Sequence, residues 1–348
     1  MTAMLLTDQD RAALAGERGD AAALAMRILV EMAGVMGADG LIDVTSAHVD
    51  SCLYHGLAGL EFAEQLVAGG ARVGVPTTLN VSSLDLLHPE LYRVDTDVAM
   101  LARRQMDAYI AMGCMPTWTC APYQLPNRPE LGEHVAWAES NAIVFANSVL
   151  GARTNRYGDF IDVCAAICGR VPDAGLHREE ERRARIVFLL SGVSDRLLRE
   201  DVVYPVLGHL VGRAAGTAVP AIVGLPKDTS EDRLKALGAA ASSSGAVAMF
   251  HAVGVTPEAP TLEAAMGGGS VHEVHVTPTD LRNARDELTT RIGDAALGAV
   301  SVGTPHFSIA EFEDLLPLIV DAPPTVPFFV STGRNVFEEI ELRRYDIA

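Results

Sequence analysis

The sequence predicts an α/β protein with mostly parallel sheets covered by helices. Between residues 185 and 332, short apolar runs that are typical of strands alternate with longer segments of helical pattern. Strict alternation of this kind is typical of parallel sheets, whose strands are joined by crossover helices. Hydrophobic residues make up 49% of the chain and aromatic ones only 5%, so we expect an aliphatic, closely packed core.

The first half of the chain is predicted to be mainly helical. Thr7 is a candidate N-cap followed by acidic residues, and the apolar run from Ala21 to Ala38 has the length of a buried helix. Pro116, Pro122 and Pro126 exclude a regular helix around them. We predict helices at residues 7–16, 20–36, 61–68, 97–112, 133–150 and 160–168, and strands at 41–44 and within 71–87.

The second half carries the alternation itself. The charged run from His177 to Arg185 is typical of a solvated face, and it is the best place for a subdomain boundary inside one catalytic region spanning residues 1–348. Strands are predicted at residues 185–190, 220–226, 245–253, 272–276, 297–302 and 327–332. Helices are predicted near residues 195–215, 227–241, 256–266, 278–292 and 308–319.

Charge and cysteine content exclude several kinds of partner and site. A formal net charge of −18 repels phosphate backbones and anionic lipid headgroups, so we expect neither nucleic acid nor a membrane surface as a partner. Arg27 and Glu31 interrupt the first long apolar run, which is therefore not a membrane span. An odd set of five Cys predicts a reduced, cytoplasmic protein rather than a disulfide framework.

The segment from Cys114 to Gly158 concentrates polar side chains in an otherwise apolar sequence. Such side chains cost roughly 1 to 3 kcal/mol each when buried without partners, so they must satisfy one another or bind a ligand. We predict that this segment forms the floor of an active site for a small anionic substrate. Arg153 and Arg334 are candidates to clamp a carboxylate. The other candidate substrate-binding residues end predicted strands or open turns: Asn80, Glu139, Ser140, Asn147, Asn155, His251, His306 and Ser308.

Cys120, Cys168 and Cys114, in that order, are the candidate metal ligands. Paired CxxC spacing is absent, which disfavours a closed zinc site, whereas thiolates from separate loops can hold an iron-sulfur cluster or an open iron site. The alternative for each Cys is a small buried hydrophobe, and it applies most to Cys52 and Cys164. The sequence contains no Walker-type glycine loop, GxGxxG or GxSxG motif, so it indicates neither a nucleotide site nor a serine-hydrolase elbow.

Seven motifs resemble the large, catalytic subunit of the aconitase X family. They are VPTTLN (75–80), TCAPY (119–123), GEHVAWAESNAIVFANSVLGARTNRYGD (132–159), CGRVPDAGLH (168–177), AMFHAVGVTPEA (248–259), GTPHFS (303–308) and STGR (331–334). The resemblance implies an aconitase-like catalytic domain with hydro-lyase activity. It also implies iron bound through Cys side chains, as a two-iron two-sulfur cluster or as mononuclear iron, and a small swivelling domain that is absent from this chain.

The GTPHFS motif, with Thr304 as its second residue, resembles the form found in the bacterial branch of that family. The resemblance implies dehydration of cis-3-hydroxy-L-proline to 1-pyrroline-2-carboxylate. The alternatives are a dehydratase of phosphorylated mevalonate, as in archaeal members, and a metal-free binding or scaffold subunit of the same fold. For the first activity the resemblance implies that iron on Cys120 takes up the leaving hydroxyl, while Arg153 or Arg334 holds the carboxylate. It implies that Asn80, Asn147 and Asn155 fix the ring.

The catalytic base is not evident in the sequence. A Ser of the small domain is the candidate that the resemblance implies, so we expect the chain to need a small partner subunit. Family members also commonly continue past STGR into an Asp-Thr-Cys motif, which we expect to supply a further metal ligand from outside these residues.

Overall fold

The computed structural model describes residues 4–91, 94–290, 293, 296–320 and 323–343. The chain divides into two compact units, each assembled from three separate stretches. Unit 1 consists of Met1–Trp118, Gly132–Glu139 and Ala152–Glu181. Unit 2 consists of Thr119–Leu131, Ser140–Gly151 and Arg182–Ala348. In the described part of the chain, no helix is long and apolar enough to cross a membrane.

The helices in chain order are α1 (Asp8–Leu14), α2 (Asp20–Val35), α3 (Leu57–Ala68), α4 (Thr96–Ala111), α5 (Ser140–Phe145), α6 (Ile161–Cys168), α7 (Val203–Ala215), α8 (Glu231–Ser244), α9 (Leu262–Met266), α10 (Pro278–Leu288), α11 (Ile309–Val320) and α12 (Arg334–Arg343). The strands are β1 (Leu41–Asp43), β2 (Ala47–Val49), β3 (Thr77–Leu79), β4 (Ala136–Trp137), β5 (Arg170–Pro172), β6 (Ile186–Leu189), β7 (Pro220–Val223), β8 (His251–Ala252), β9 (His272–His275), β10 (Val300–Phe307) and β11 (Phe328–Thr332).

Unit 1 is built around a three-stranded parallel sheet in the order β3-β2-β4. A second, antiparallel pair joins β1 to β5. Helix α2 packs against α6, and it buries a stripe of small and aliphatic residues that includes Ala25, Leu29 and Ala33. Seven of the eight residues of α6, Asp162 to Cys168, are buried, so that helix lies at the centre of the unit.

Unit 2 contains a four-stranded parallel sheet in the order β8-β7-β6-β9, with α7, α8 and α10 around its aliphatic core. Strands β10 and β11 form a separate parallel pair, and their layer has a small core of Phe312, Val336 and Ile340. These sheets confirm the predicted α/β class, and among the described strands only the short β1-β5 pair is antiparallel.

Several predicted elements are wrong in extent. The predicted helix at 133–150 begins with strand β4, turns helical only at Ser140, and ends in a π-helical turn at Ala146–Leu150. Pairing of β4 with β2 overrides the helical pattern of this Ala-rich run. The strand within 71–87 is only Thr77–Leu79, the strand at 245–253 only His251–Ala252, and the helix from 195 starts at Val203. The predicted end of α10 at 291–292 lies outside the described residues.

Helices α7 and α8 lie close together because glycines of α7 face the backbone of α8. A Cβ atom at Gly208 would lie 2.2 Å from the carbonyl oxygen of Leu237, and one at Gly212 would lie 2.5 Å from that of Ala241. Such distances leave no room for a methyl group, so the approach of the two helices depends on these glycines.

The substitution Gly208→Ala is therefore expected to destabilise unit 2 by about 1 to 3 kcal/mol, because the added methyl group forces the two helices apart. Gly34→Ala in α2 is the matched control, since a Cβ there meets nothing within 4 Å and alanine favours the helix by up to about 1 kcal/mol. Urea unfolding of both variants measures the effect. Equal stability of the two variants would contradict the close packing described above.

Candidate functional site

The carboxyl end of the parallel sheet in unit 1 gathers Asp50, Ser51 and Asn80. Asp50 and Ser51 follow β2, and Asn80 follows β3, so the parallel pairing of these strands brings the three residues to one edge. The Asn80 side-chain amide donates a hydrogen bond to the Asp50 carboxylate. Asn80 is buried, and its Oδ1 atom has no hydrogen-bond partner among the described residues.

Asp162 of α6 fixes the turn that carries Asp50. Its carboxylate is fully buried and accepts hydrogen bonds from the backbone N–H groups of Asp50 at 2.8 Å and Ser51 at 2.9 Å. The Ser51 hydroxyl donates a third bond to it at 2.9 Å and accepts one from Tyr109 at 2.7 Å. Burial raises the pKa of Asp162 to about 7, against the opposing effect of these hydrogen bonds. The signal in the sequence was a lone Asp in an otherwise apolar helix.

The raised pKa predicts a specific pH dependence of stability. Because the folded state holds the proton more tightly than the unfolded chain, the contribution of this carboxyl is complete below about pH 4 and is lost as the pH rises towards about 7. The slope approaches about 1.4 kcal/mol per pH unit within that window.

Asp162→Asn lacks this titration and also loses one of the two oxygen atoms that accept these hydrogen bonds. The free energy of unfolding of the wild type relative to this variant should fall by roughly 2 to 3 kcal/mol between pH 5 and pH 8. Ser51→Ala is the control, because it removes one hydrogen bond but keeps the titrating group. A difference that stays constant over this pH range would contradict a raised pKa.

A second polar cluster of unit 1 surrounds His177. The Tyr157 hydroxyl lies 2.6 Å from Nε2 of His177, and Nδ1 of His177 lies 2.9 Å from Nδ1 of His134. Burial raises the pKa of Tyr157 far above its usual range, so the phenol stays neutral and can donate to His177. The motifs containing His134 and His177 were recognised in the sequence, but neither residue was singled out.

Two predicted substrate ligands, Arg153 and Asn155, support this cluster. The Arg153 guanidinium donates to the carbonyl oxygen of His177 at 3.0 Å and forms an ion pair with Glu179. The Asn155 amide donates to the carbonyl of Ala174 at 2.8 Å and accepts from the N–H of Leu176 at 2.7 Å. Both residues therefore hold the turn that presents His177. Glu139, another predicted ligand, is half-buried just after β4.

In unit 2, Arg182 brings Asn147 and Glu258 together. Arg182 is only 1% exposed, and its Nε and Nη2 atoms form a forked ion pair with the Glu258 carboxylate at 2.7 to 3.0 Å. Its Nη1 atom donates a hydrogen bond to the side-chain oxygen of Asn147, and Nη2 donates one to the backbone oxygen of Asn147, both at 3.0 Å. Nε2 of His251 lies 2.7 Å from the carbonyl oxygen of Arg182, so that imidazole nitrogen carries the proton. The π-helical turn at Ala146–Leu150 supplies Asn147.

The substitution Glu258→Gln leaves the buried guanidinium without its carboxylate. We expect a loss of about 3 to 5 kcal/mol in the free energy of unfolding, because the remaining charge is buried and uncompensated. Asp228→Asn is the control in the same unit, since its ion pair with Arg199 is exposed and contributes little to stability. Chemical denaturation of both variants distinguishes them, and equal losses would contradict the role of the buried pair.

A second cluster of unit 2 joins Cys120 to the GTPHFS segment. The backbone N–H of His306 donates to the sulfur of Cys120 at 3.3 Å, and Nδ1 of His306 lies 3.0 Å from the Thr119 hydroxyl. Burial and the nearby Lys235 lower the pKa of His306 to about 4, so its imidazole is neutral at neutral pH. Ser308 belongs to the same cluster, because its hydroxyl donates to Asp232 at 2.8 Å.

The remaining predicted residues lie at helix starts. Ser140 begins α5 and is half-buried, whereas Arg334 begins α12 and is exposed. The structure thus groups the predicted residues of unit 2 into Asn147 with His251, and Cys120 with His306 and Ser308. In unit 1 it groups Arg153 with Asn155 and leaves Asn80 at the sheet edge.

The three candidate iron ligands differ in their surroundings. Cys114 and Cys168 lie in the apolar core of unit 1, where burial raises the pKa of each thiol to about 12. These environments favour the neutral thiol, which is a poor ligand. Cys120 instead has an N–H donor aimed at its sulfur, an arrangement that suits a thiolate bound to iron. Over the described residues, no three His, Cys, Asp or Glu side chains form a group that would hold a metal ion.

Comparison with known proteins now identifies the family. The model of the first domain of aconitase X matches residues 3–180, and that of the second domain matches residues 184–286. The chain belongs to the aconitase X family. It is similar in structure to the crystal structure of Thermococcus kodakaraensis aconitase X in its holo-form, with a TM-score of 0.88 and 34% identity, covering 98% of this chain and 84% of that one.

Relatives of known name fall into two groups of dehydratases. The chain is 46% identical over 336 residues to a cis-3-hydroxy-L-proline dehydratase of Pseudomonas aeruginosa, covering 95% of this chain and 57% of the relative. It is 45% identical to one of Hypocrea jecorina, covering 90% and 53%. A phosphomevalonate dehydratase large subunit of Methanothermobacter thermautotrophicus is 41% identical, covering 92% of this chain and 78% of the relative. The chain thus spans little more than half the length of the two hydroxyproline dehydratases.

Proposed function

We propose that this chain is the large subunit or domain of a hydro-lyase that dehydrates cis-3-hydroxy-L-proline to 1-pyrroline-2-carboxylate. The observation that carries the proposal is its identity of 46% and 45% to two dehydratases named for this substrate, against 41% to the archaeal phosphomevalonate relative described above. Thr304 in the GTPHFS motif supports the same branch.

Dehydration of a 3-hydroxy amino acid requires that the proton α to the carboxylate is removed and that hydroxide departs. We propose that Arg334 binds the substrate carboxylate, because its guanidinium is exposed at the first turn of α12, where the helix dipole also favours an anion. Arg153 has a supporting role in this proposal, since its guanidinium contacts His177 and Glu179.

Iron is the proposed cofactor, and Cys120 is the residue of this chain that we propose to hold it. When bound, iron supplies a Lewis acid for the hydroxyl group that leaves. The N–H of His306 would stabilise negative charge on the Cys120 sulfur. The proposal covers two forms of the iron, a two-iron two-sulfur cluster and a mononuclear site.

The proton acceptor is proposed to come from a small partner subunit. The archaeal relative is named a large subunit, which implies a smaller one. We propose that the small partner supplies the base and that the complex works in the reduced cytoplasm, where the five Cys stay unpaired.

The second candidate is a phosphomevalonate dehydratase. The observation that favours it is the identity of 41% over 92% of this chain to an archaeal phosphomevalonate dehydratase large subunit. A substrate screen with the small partner present separates the two activities. Turnover of phosphomevalonate alone would overturn the first proposal and establish the second.

The cofactor proposal predicts that Cys120→Ser abolishes iron binding. Iron content and activity on cis-3-hydroxy-L-proline should both fall more than about 100-fold. Loss of a residue that only supports a metal ligand already lowers metal affinity or activity by about 10–100-fold. Measurement requires anaerobic co-expression with the small partner, iron quantification and product assay. Cys114→Ala and Cys168→Ala are the matched controls and should keep both properties.

Two results would contradict this assignment. If Cys120→Ser retains iron, Cys120 is not the iron ligand. If a folded Cys114→Ala or Cys168→Ala variant loses iron, that Cys is a ligand. A wild-type complex without iron and without activity on either substrate would favour the metal-free scaffold.

A further inference from the structure

Lys235 is a buried cation at the centre of a charge cluster in unit 2. It lies on α8, is 3% exposed, and its Nζ meets the carboxylates of Asp232, at 2.8 Å, and Glu311. Burial of a Lys is costly unless the ammonium is paired and hydrogen-bonded, so this arrangement needs a structural reason. A third contact supplies one, because Nζ also donates to the carbonyl oxygen of His306 at 3.3 Å.

The cluster of Lys235, Asp232 and Glu311 forms hydrogen bonds with two residues of the GTPHFS segment. At His306 the carbonyl oxygen accepts from Lys235 and also from the Gln124 side chain at 3.0 Å. At Ser308 the backbone N–H donates to Glu311 and the hydroxyl donates to Asp232, both at 2.8 Å. The charged groups that neutralise Lys235 therefore also fix the end of this segment.

His306 also contacts Cys120 through its backbone N–H group. The N–H of His306 donates to the Cys120 sulfur, and the imidazole contacts Thr119, the residue before it. The Thr119 hydroxyl in turn accepts from the N–H of Ala121 at 3.1 Å. His306 is thus held between the Lys235 cluster and the loop that carries the proposed iron ligand.

We propose that Lys235 is a positioning residue for Cys120. By holding the His306 carbonyl, it keeps the His306 N–H aimed at the sulfur, and that hydrogen bond sets the exposure and electron density of the thiolate. Hydrogen bonds to a ligating sulfur are a known determinant of the reduction potential of iron-sulfur sites. Lys235 itself is too deeply buried to meet a substrate. The inference rests on the proposed role of Cys120 in the function above.

The double substitution Lys235→Met with Glu311→Gln tests the proposal, because it removes the buried pair at nearly constant volume. In the full chain after iron removal, the rate at which iodoacetamide alkylates Cys120, resolved by mass spectrometry, should rise at least about tenfold. Cys52, Cys114, Cys164 and Cys168 all lie in unit 1 and serve as internal controls whose rates should not change. In the anaerobic complex with its small partner, the iron should remain bound with a shifted reduction potential.

The matched control is Arg128→Met with Glu231→Gln. That ion pair also joins the Thr119–Leu131 stretch to α8, but its side chains are 37% and 56% exposed and do not touch His306. It should leave all five rates and the potential unchanged. If the Lys235 variant does not fold, Gln124→Leu removes the other donor to the His306 carbonyl without a buried charge, and it should raise the Cys120 rate about threefold.

Two outcomes overturn the proposal. The first is a Cys120 rate that stays within about twofold of wild type in the folded variants. The second is a rate increase at all five Cys together, which indicates general loosening rather than positioning. The alkylation measurement needs no iron, so an iron-free wild type would refute the proposed cofactor while leaving the test of Lys235 intact.

Discussion

Burial of charge within an aliphatic core is the constraint on which the rest of the structure depends. Asp162, Arg182 and Lys235 are 0%, 1% and 3% exposed, and each would destabilise the fold by several kcal/mol if left without partners. Each forms hydrogen bonds with the backbone of a segment that carries candidate site residues. Asp162 fixes the turn after β2, Arg182 binds the backbone of Asn147, and Lys235 binds the carbonyl of His306. Stability and site geometry therefore depend on the same contacts.

These contacts order polar groups within a chain whose formal net charge is −18. Within each unit the polar residues are held in place by neighbours, so little ordering remains to be done when a ligand binds. Unit 1 holds the sheet edge with Asn80 and the His177 turn, and unit 2 holds Cys120, His306 and Arg334. In our proposal the small partner adds the base.

The sequence predicted the α/β class and most helices well, because amphipathic periodicity and strand-helix alternation are local signals. It failed at residues 133–150, where the pairing of β4 with β2 is decided by a strand distant along the chain. It placed Cys120 and His306 in motifs but could not show that they touch, since 186 positions separate them. Arg153 and Asn155 were predicted as ligands from residue type, from their place in a predicted turn and from a family motif, whereas their contacts with the His177 turn depend on tertiary structure. Asp162 and Lys235 were missed for the same reason.

We propose that Cys120 binds iron beside the N–H of His306. The most direct measurement is an anomalous difference map at the iron absorption edge, from crystals of the anaerobically prepared complex with its small partner. We expect a strong iron peak at bonding distance from the Cys120 sulfur, with no iron peak at Cys114 or Cys168. An iron peak bonded to Cys114 or Cys168 instead, or no peak in a fully active complex, would contradict it.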